Sequence, residues 1–279
     1  KYFEKKGSAQ VKSSIIFAAL RTNGTTLIKA KKSRNHLELA CDHLKLPVKV
    51  SKRKNFDLIK IKKAKEIKPF NYNIPSDVSS AAFFIVLTCL KNNSSMTIKN
   101  VNINPSRIGI ITILKKMGVK ILFKNKKKYK GEFVADIFVR SAKNLKSVNC
   151  PEKLNSSSID EFLLIFLVAA KAKGISFFKN LSELNQKESP RLKWGAKILN
   201  LMGVKTELTN SSIKIFGNPN LKINKKIVIK NYLKDHRVFM TCVIAAMSFE
   251  NLQGWHIHDK DSINTSFPNF LKILKKLQK

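Results

Sequence analysis

The chain has 279 residues, with 54 Lys plus Arg against 18 Asp plus Glu, for a net charge of +36. That balance excludes a neutral globule, and 43% hydrophobic residues with only 10 Gly and 8 Pro exclude a disordered basic tail, because enough apolar side chain exists to offset the ordering entropy of one or two domains. Two explanations of the charge remain: a surface for a polyanion, or a compositional drift toward Lys laid over an ordinary fold.

In chain order, AQVKSSIIFAAL (9–20) predicts a helix, GTTLIKA (24–30) a strand, SRNHLELACDHLKL (33–46) a second helix and 48–50 a strand. The template returns as SSAAFFIVLTCL (79–90), NSSMTIKNVNI (93–103) and NPSRIGIITILKKMGVKILF (104–123). It returns again as DEFLLIFLVAAKAKG (160–174), ISFFKN (175–180) and KESPRLKWGAKILNLMGVKTEL (187–208), and last as HRVFMTCVIAAMS (236–248), WHIHDKD (255–261) and TSFPNFLKILKKL (265–277). Gly118 and Gly203 stand where a left-handed cap ends the second helix of their units. Unit starts at Ser8, Ser79, Asp160 and Asp235 lie 71, 81 and 75 residues apart, too long for an ordinary solenoid, which gives an α/β architecture of repeated βαβ-like units.

Each of those four residues is expected at a helix N-cap, and Arg34, Arg107 and Arg191 enter the second helix of the first three units. Units packed round one cleft would bring free helix N–H groups and arginine forks together, a receptor for phosphate and carboxylate. Only seven basic residues are Arg. Nucleic-acid readers favour Arg, and the dense runs at 52–54 and 124–130 lack the series of interleaved aromatics that stack bases, so the dispersed Lys reads as drift and no nucleic-acid partner is expected. Cys41, Cys89, Cys150 and Cys242 have neither disulfide nor zinc spacing, and His36, His43, His256 and His258 have no metal spacing. The apolar runs at 81–90 and 162–170 fall short of the ~20 residues that cross a bilayer, so a cytoplasmic chain with no membrane partner is expected. It opens on Lys1 without a signal-peptide pattern, the expectation being a start partway through a longer protein.

Nine strings in order, GSAQVKS (7–13), SRNH (33–36), PSDVSSAAF (75–83), NPSR (104–107), MG (117–118), IDE (159–161), KES (187–189), DHR (235–237) and SFP (266–268), make the chain similar to the later part of the 5-enolpyruvylshikimate-3-phosphate synthase family. The resemblance implies a two-domain enolpyruvyl transferase fold, an inside-out α/β barrel of βαβαββ units with the first domain incomplete: 1–72 would complete the first domain and 73–279 form the second. It implies an enzyme, here a monomer, that moves the enolpyruvyl group of phosphoenolpyruvate to the 5-hydroxyl of shikimate 3-phosphate without metal or organic cofactor. Carried over residue by residue, Ser8, the backbone at Ala9, Gln10, Arg34, Asp160 and Lys187 would bind shikimate 3-phosphate, while Gln10, Arg191 and Arg237 would bind phosphoenolpyruvate. Asp160 would be general base on the 5-hydroxyl, and Glu188 would exchange a proton with the methylene carbon, so their environments should separate their pKa values. Arg107 and Asp77 are expected to be structural.

The chain departs from the family pattern at Pro190 (usually Asp), Asn185 (Arg), Ser76 (Gly) and Asn35 (Asp), and it has no Lys in 264–266. The related UDP-N-acetylglucosamine enolpyruvyl transferase is the nearest alternative, disfavoured by the SAQVK and KES strings, and a basic nucleic-acid-binding module is a second. Family groups that lie upstream are absent, so residues 1–279 alone are expected to be inactive.

Overall fold

The computed structural model describes residues 1–277. Strand β1 (Tyr2–Glu4) runs parallel to β2 (Thr25–Lys31), with α1 (Ala9–Ala19) as the crossover. Helix α2 (His36–His43) then leads to β3 (Val48–Lys52), and β4 (Phe56–Lys62) returns between β2 and β3 as the antiparallel partner of both, for the order β1-β2-β4-β3.

The second unit has α3 (Val78–Leu90), β5 (Ser95–Asn102), α4 (Gly109–Lys116), β6 (Ile121–Tyr129) and β7 (Glu132–Arg140), with sheet order β5-β7-β6. The third has α5 (Asn155–Ser158), α6 (Phe162–Lys171), β8 (Gly174–Phe178), α7 (Arg191–Leu201), β9 (Thr206–Leu208) and β10 (Ile213–Gly217), ordered β8-β10-β9. The fourth pairs β11 (Ile227–Ile229) parallel to β12 (Trp255–Ile257) round α8 (His236–Ser248) and ends in α9 (Phe270–Leu277). Parallel bridges such as Ser76 to Val101 and Asn149 to Phe177 supply the short first strands of units two and three. The repeat is therefore βαβαββ in the first three units. The return strands β4, β7 and β10 were not part of the periodicity reading, whereas the left-handed Gly118 and Gly203 end their helices as expected.

Helices α3 and α6 are apolar round nearly their whole circumference, and both are buried: only Ser80 of α3 escapes, and Phe162 through Ala170 are all covered. With α8 they form the centre of the large core, where Phe162, Phe166 and Phe178 pack with ring centroids 5.2–5.9 Å apart. A separate, smaller core holds Ile16, Leu20, Ile28, Cys41, Ile59 and Ile61. Polar bonds link the two: His36 Nδ1 lies 2.7 Å from Glu132, Asn104 donates to Asn35 at 2.9 Å, and Arg34 pairs with Asp160.

Many lysines lie over aromatic rings on outer sheet faces, among them Lys29 over Phe56 (4.5 Å), Lys124 over Phe138 (4.6 Å) and Lys126 over Phe133 (4.6 Å). Each ammonium faces the negative face of its ring, a cation–π contact at the protein surface. At the β6–β7 turn, Lys130 also approaches Phe70, Tyr72 and Tyr129, so the 124–130 run does gather aromatics that are distant in sequence.

Gly217 closes β10 against the end of α6, where an added Cβ would sit 2.1 Å from the Ala172 carbonyl oxygen and 2.4 Å from that of Ala169. Both neighbours are backbone and cannot rotate away. Gly217→Ala is expected to destabilise the chain by about 1–3 kcal/mol, read as a lower urea midpoint at unchanged slope.

Candidate active site

The N-termini of α3, α6 and α8 meet at one edge of the large core. Asp77 caps α3 by accepting from Ser80 N–H at 2.9 Å, and Asp235 caps α8 by accepting from Arg237 N–H at 2.9 Å. Ser8 caps α1 through Val11 N–H at 3.3 Å. Two cap expectations need correction. Ser79 lies inside the first turn of α3, and its hydroxyl donates to Glu161 at 2.5 Å. Asp160 precedes the actual N-cap position, Glu161, so its carboxylate is released from helix capping and faces the arginines. The expected seat for anions at free helix ends is likewise corrected for α3 and α8, whose ends are filled by the chain's own carboxylates; among the described residues α2, α6 and α7 have no side-chain cap.

Arg191, 2% exposed, begins α7. Its Nε donates to Asp235 Oδ2 at 2.8 Å and its Nη2 to Oδ1 at 3.2 Å, a bidentate clamp that Ser189 reinforces by donating to the same carboxylate at 2.8 Å. Nη2 also pairs with Glu188, and Nη1 lies 3.7 Å from Asp160. Pro190 accommodates this geometry. With φ −70° it stands at the N-cap, where a missing N–H costs nothing, and its carbonyl accepts from Trp194 N–H at 3.0 Å.

Arg237 donates to the backbone carbonyl of Asp160 at 2.9 Å, with its guanidinium 3.5 Å from Glu161 and 4.0 Å from the Asp160 carboxylate. Arg34 pairs with Asp160 from the other core. It is placed by Lys12, whose buried ammonium donates to the Arg34 carbonyl at 2.8 Å and pairs with Glu38 at 2.5 Å.

These charges set the protonation of the site. Burial pushes the Asp160 carboxyl up, but Arg237, Arg34, Lys187 and Arg191 together outweigh it and hold the group at about 2. Its neighbour Glu161 goes the other way: complete burial drives it above the ordinary range, and the pull of Arg237 only partly offsets this. Burial raises Asp235 too, yet the hydrogen bond and charge of Arg191 leave it lowered. His236 is lowered by burial and then by Arg237.

Of the residues singled out from sequence, Arg34, Asp160, Glu188, Arg191 and Arg237 form one cluster. Lys187 is near enough to act on Asp160, although its ammonium bonds Glu183 at 2.9 Å. Ser8 and Gln10 stand four and two residues before Lys12 at the start of α1, with the Ser8 hydroxyl engaged in capping and Gln10 exposed. Arg107 bonds Asp77 at 2.9 Å and Ser79 at 2.6 Å. The departures fit locally: Asn35 accepts from Asn104 at 2.9 Å, the Ser76 hydroxyl donates to the Lys99 carbonyl at 3.1 Å, and Asn185 bonds the Asn210 carbonyl at 3.3 Å. Sequence reading passed over Lys12, Glu161 and Ser33. Among the described residues the Ser33 hydroxyl, next in sequence to Arg34, is buried without a hydrogen-bond partner. Its place beside that arginine in the SRNH string is the signal that could have flagged it.

The arrangement is a cluster of arginines gathered round the carboxylates of Asp160, Glu161, Glu188 and Asp235. Residues 1–274 match the family model for EPSP synthase (3-phosphoshikimate 1-carboxyvinyltransferase). The 3-phosphoshikimate 1-carboxyvinyltransferase of Ruthia magnifica is 37% identical over 271 residues, 97% of this chain and 60% of the relative. The crystal structure of EPSP synthase from Acinetobacter baumannii superposes with a TM-score of 0.86 at 30% identity, over 99% of this chain and 62% of that one. The enolpyruvyl transferase NikO from Streptomyces tendae, 14% identical with a TM-score of 0.73 over 97% of this chain and 59% of its own, shares the fold. The chain thus spans about three fifths of the length of these relatives, and α3, α6, α8 and the arginines between them lie within the matched span. With a family model over residues 1–274, a relative 37% identical over 97% of the chain and a superposable structure in agreement, the chain belongs to the EPSP synthase family.

Proposed function

We propose that this chain is the larger part of an enzyme that transfers the enolpyruvyl group of phosphoenolpyruvate to the 5-hydroxyl of shikimate 3-phosphate, releasing phosphate. The observation that carries the reading is Asp160, an ionised carboxylate ringed by Arg34, Arg191, Arg237 and Lys187. Arg34, with the unpartnered Ser33 hydroxyl, takes the shikimate phosphate, while Arg191 and Arg237 take the carboxylate and phosphate of phosphoenolpyruvate. Ser8, Gln10 and Lys187 complete the shikimate side.

At about 2, Asp160 is a weak base in the free site. Substrate anions draw the cations' hydrogen bonds to themselves, and its basicity rises where the 5-hydroxyl proton must be accepted. The hydroxyl oxygen then bonds to C2 of phosphoenolpyruvate as C3 takes a proton from Glu188. In the second half the C2–O bond to phosphate breaks, the methyl group returns its proton to Glu188, and the proton taken up by Asp160 leaves with the phosphate. Arg191, anchored by Asp235, keeps its position as charge moves onto the leaving phosphate.

Residues 1–72 then complete a first domain and 73–279 form the second, in a cytoplasmic monomer that uses neither metal nor organic cofactor. The test is phosphate release from phosphoenolpyruvate by the whole protein, with shikimate 3-phosphate or UDP-N-acetylglucosamine as acceptor. Release only with the former is expected, and none from residues 1–279 alone; turnover only with the nucleotide sugar would overturn the assignment. In filter binding, single-stranded nucleic acid should be retained weakly, without sequence preference and less at higher salt.

A further inference from the structure

We propose that Glu161, linked through Ser79 to Arg107, is a positioning residue that fixes the Arg237 guanidinium over Asp160 and so sets the affinity for phosphoenolpyruvate without touching substrate. The inference rests on the function proposed above. Glu161 is 2% exposed and stands at the start of α6, yet its side chain makes no cap bond to that helix. Its Oε1 instead accepts from Ser79 on α3 at 2.5 Å and lies 3.5 Å from Arg237 Nη1 on α8. Ser79 in turn accepts from Arg107 at 2.6 Å, and Arg107 is anchored on Asp77 at 2.9 Å. A hydroxyl has one proton to give and lone pairs to receive, so this chain has one consistent direction, from Arg107 through Ser79 to Glu161.

The two arginines of the phosphoenolpyruvate side are held differently. Arg191 has the bidentate clamp of Asp235. Among the described residues Arg237 has one hydrogen-bond acceptor, the Asp160 carbonyl at 2.9 Å; the carboxylates of Glu161 and Asp160 stand farther off, at 3.5 and 4.0 Å. A single hydrogen bond does not orient a long side chain that carries about 2 kcal/mol of rotamer entropy. The missing restraint is the neighbouring buried carboxylate, whose own position is fixed by Ser79 and shielded from solvent. Glu161 thus does for Arg237 what Asp235 does for Arg191, each carboxylate coming from the start of a different helix.

The test compares the whole wild-type protein with Glu161→Gln and Ser79→Ala. Glu161→Gln keeps shape and an acceptor for Ser79 but removes the charge; it is expected to raise KM for phosphoenolpyruvate about tenfold, equivalent to about 1.4 kcal/mol, while KM for shikimate 3-phosphate stays within about twofold. Ser79→Ala should move the same constant in the same direction by less. A crystal structure of Glu161→Gln should show Arg237 displaced from the Asp160 carbonyl. Equal loss for both substrates, unchanged kinetics, or an Arg237 that keeps its place would overturn the proposal. A wild-type protein that fails to turn over these substrates would instead defeat the functional reading, and the crystal structure still decides the role of Glu161.

Discussion

On the function proposed above, replacing Asp160 by Asn in the whole protein is expected to lower kcat by about a thousandfold, within the 10²–10⁴ that a positioned general base supplies, while KM for phosphoenolpyruvate does not rise. The split follows from the charges. Asp160 is the shared counter-ion of Arg34, Arg191 and Arg237, so neutralising it leaves three guanidinium groups facing one another with more positive charge to offer an anion. Ground-state binding should therefore hold or tighten as the chemical step fails. Steady-state kinetics with each substrate varied separately check this; a variant that loses affinity in proportion to rate would make Asp160 a binding group only. The same substitution has an acid signature. The folded-state value of Asp160 lies below its ordinary one, so its contribution to stability is complete above about pH 4 and lost as pH falls toward about 2. Asp160→Asn should flatten the acid limb of the stability curve in that window.

Asp235→Ala is expected to cost the fold about 3–5 kcal/mol, the price of leaving a buried guanidinium without its partner. Arg191 would lose both of its bonds to that carboxylate, Ser189 would lose its acceptor, and α8 would lose its cap, itself worth about 1 kcal/mol. Asp235→Asn retains one oxygen for the cap or the arginine but not the charge, and should fall between wild type and Asp235→Ala. Urea unfolding of the three proteins measures the series. A loss below about 1 kcal/mol for Asp235→Ala would show that Arg191 finds another counter-ion, Glu188 being the nearest. Because Asp235 is also held below its ordinary value, the difference between wild type and variant should shrink as pH falls through the lowered titration and Asp235 becomes neutral.

How much of this could be read from residues alone depended on range. Helices α3 and α6 announced themselves because burial on all sides demands continuous apolar side chains between polar ends. Strand β6 was legible only at its start, since Lys124, Lys126, Lys127 and Lys128 face water and erase the alternation, and its return strand β7 escaped with it. The arginines were visible as the sparse forks of a Lys-rich chain. Their holders were not: Ser79 and Glu161 are 82 residues apart, Lys12 and Arg34 are 22 apart, and no local pattern records such pairings. Asp160 and Ser79 were misplaced as caps by one or two positions, the scale on which a helix start is undetermined without its hydrogen bonds.

The arginine cluster is nearly silent at a distance: Arg34, Arg191 and Arg237 already sit beside carboxylates of the chain itself. What an approaching anion feels from afar is the field of the scattered lysines, many of them lying over aromatic rings on the sheets. Arrival and retention are thereby assigned to different residues. Added salt, with a Debye length of about 8 Å at 0.15 M, screens the first and hardly reaches the second, so the encounter rate is tuned by the medium and the dwell time by the buried ion pairs.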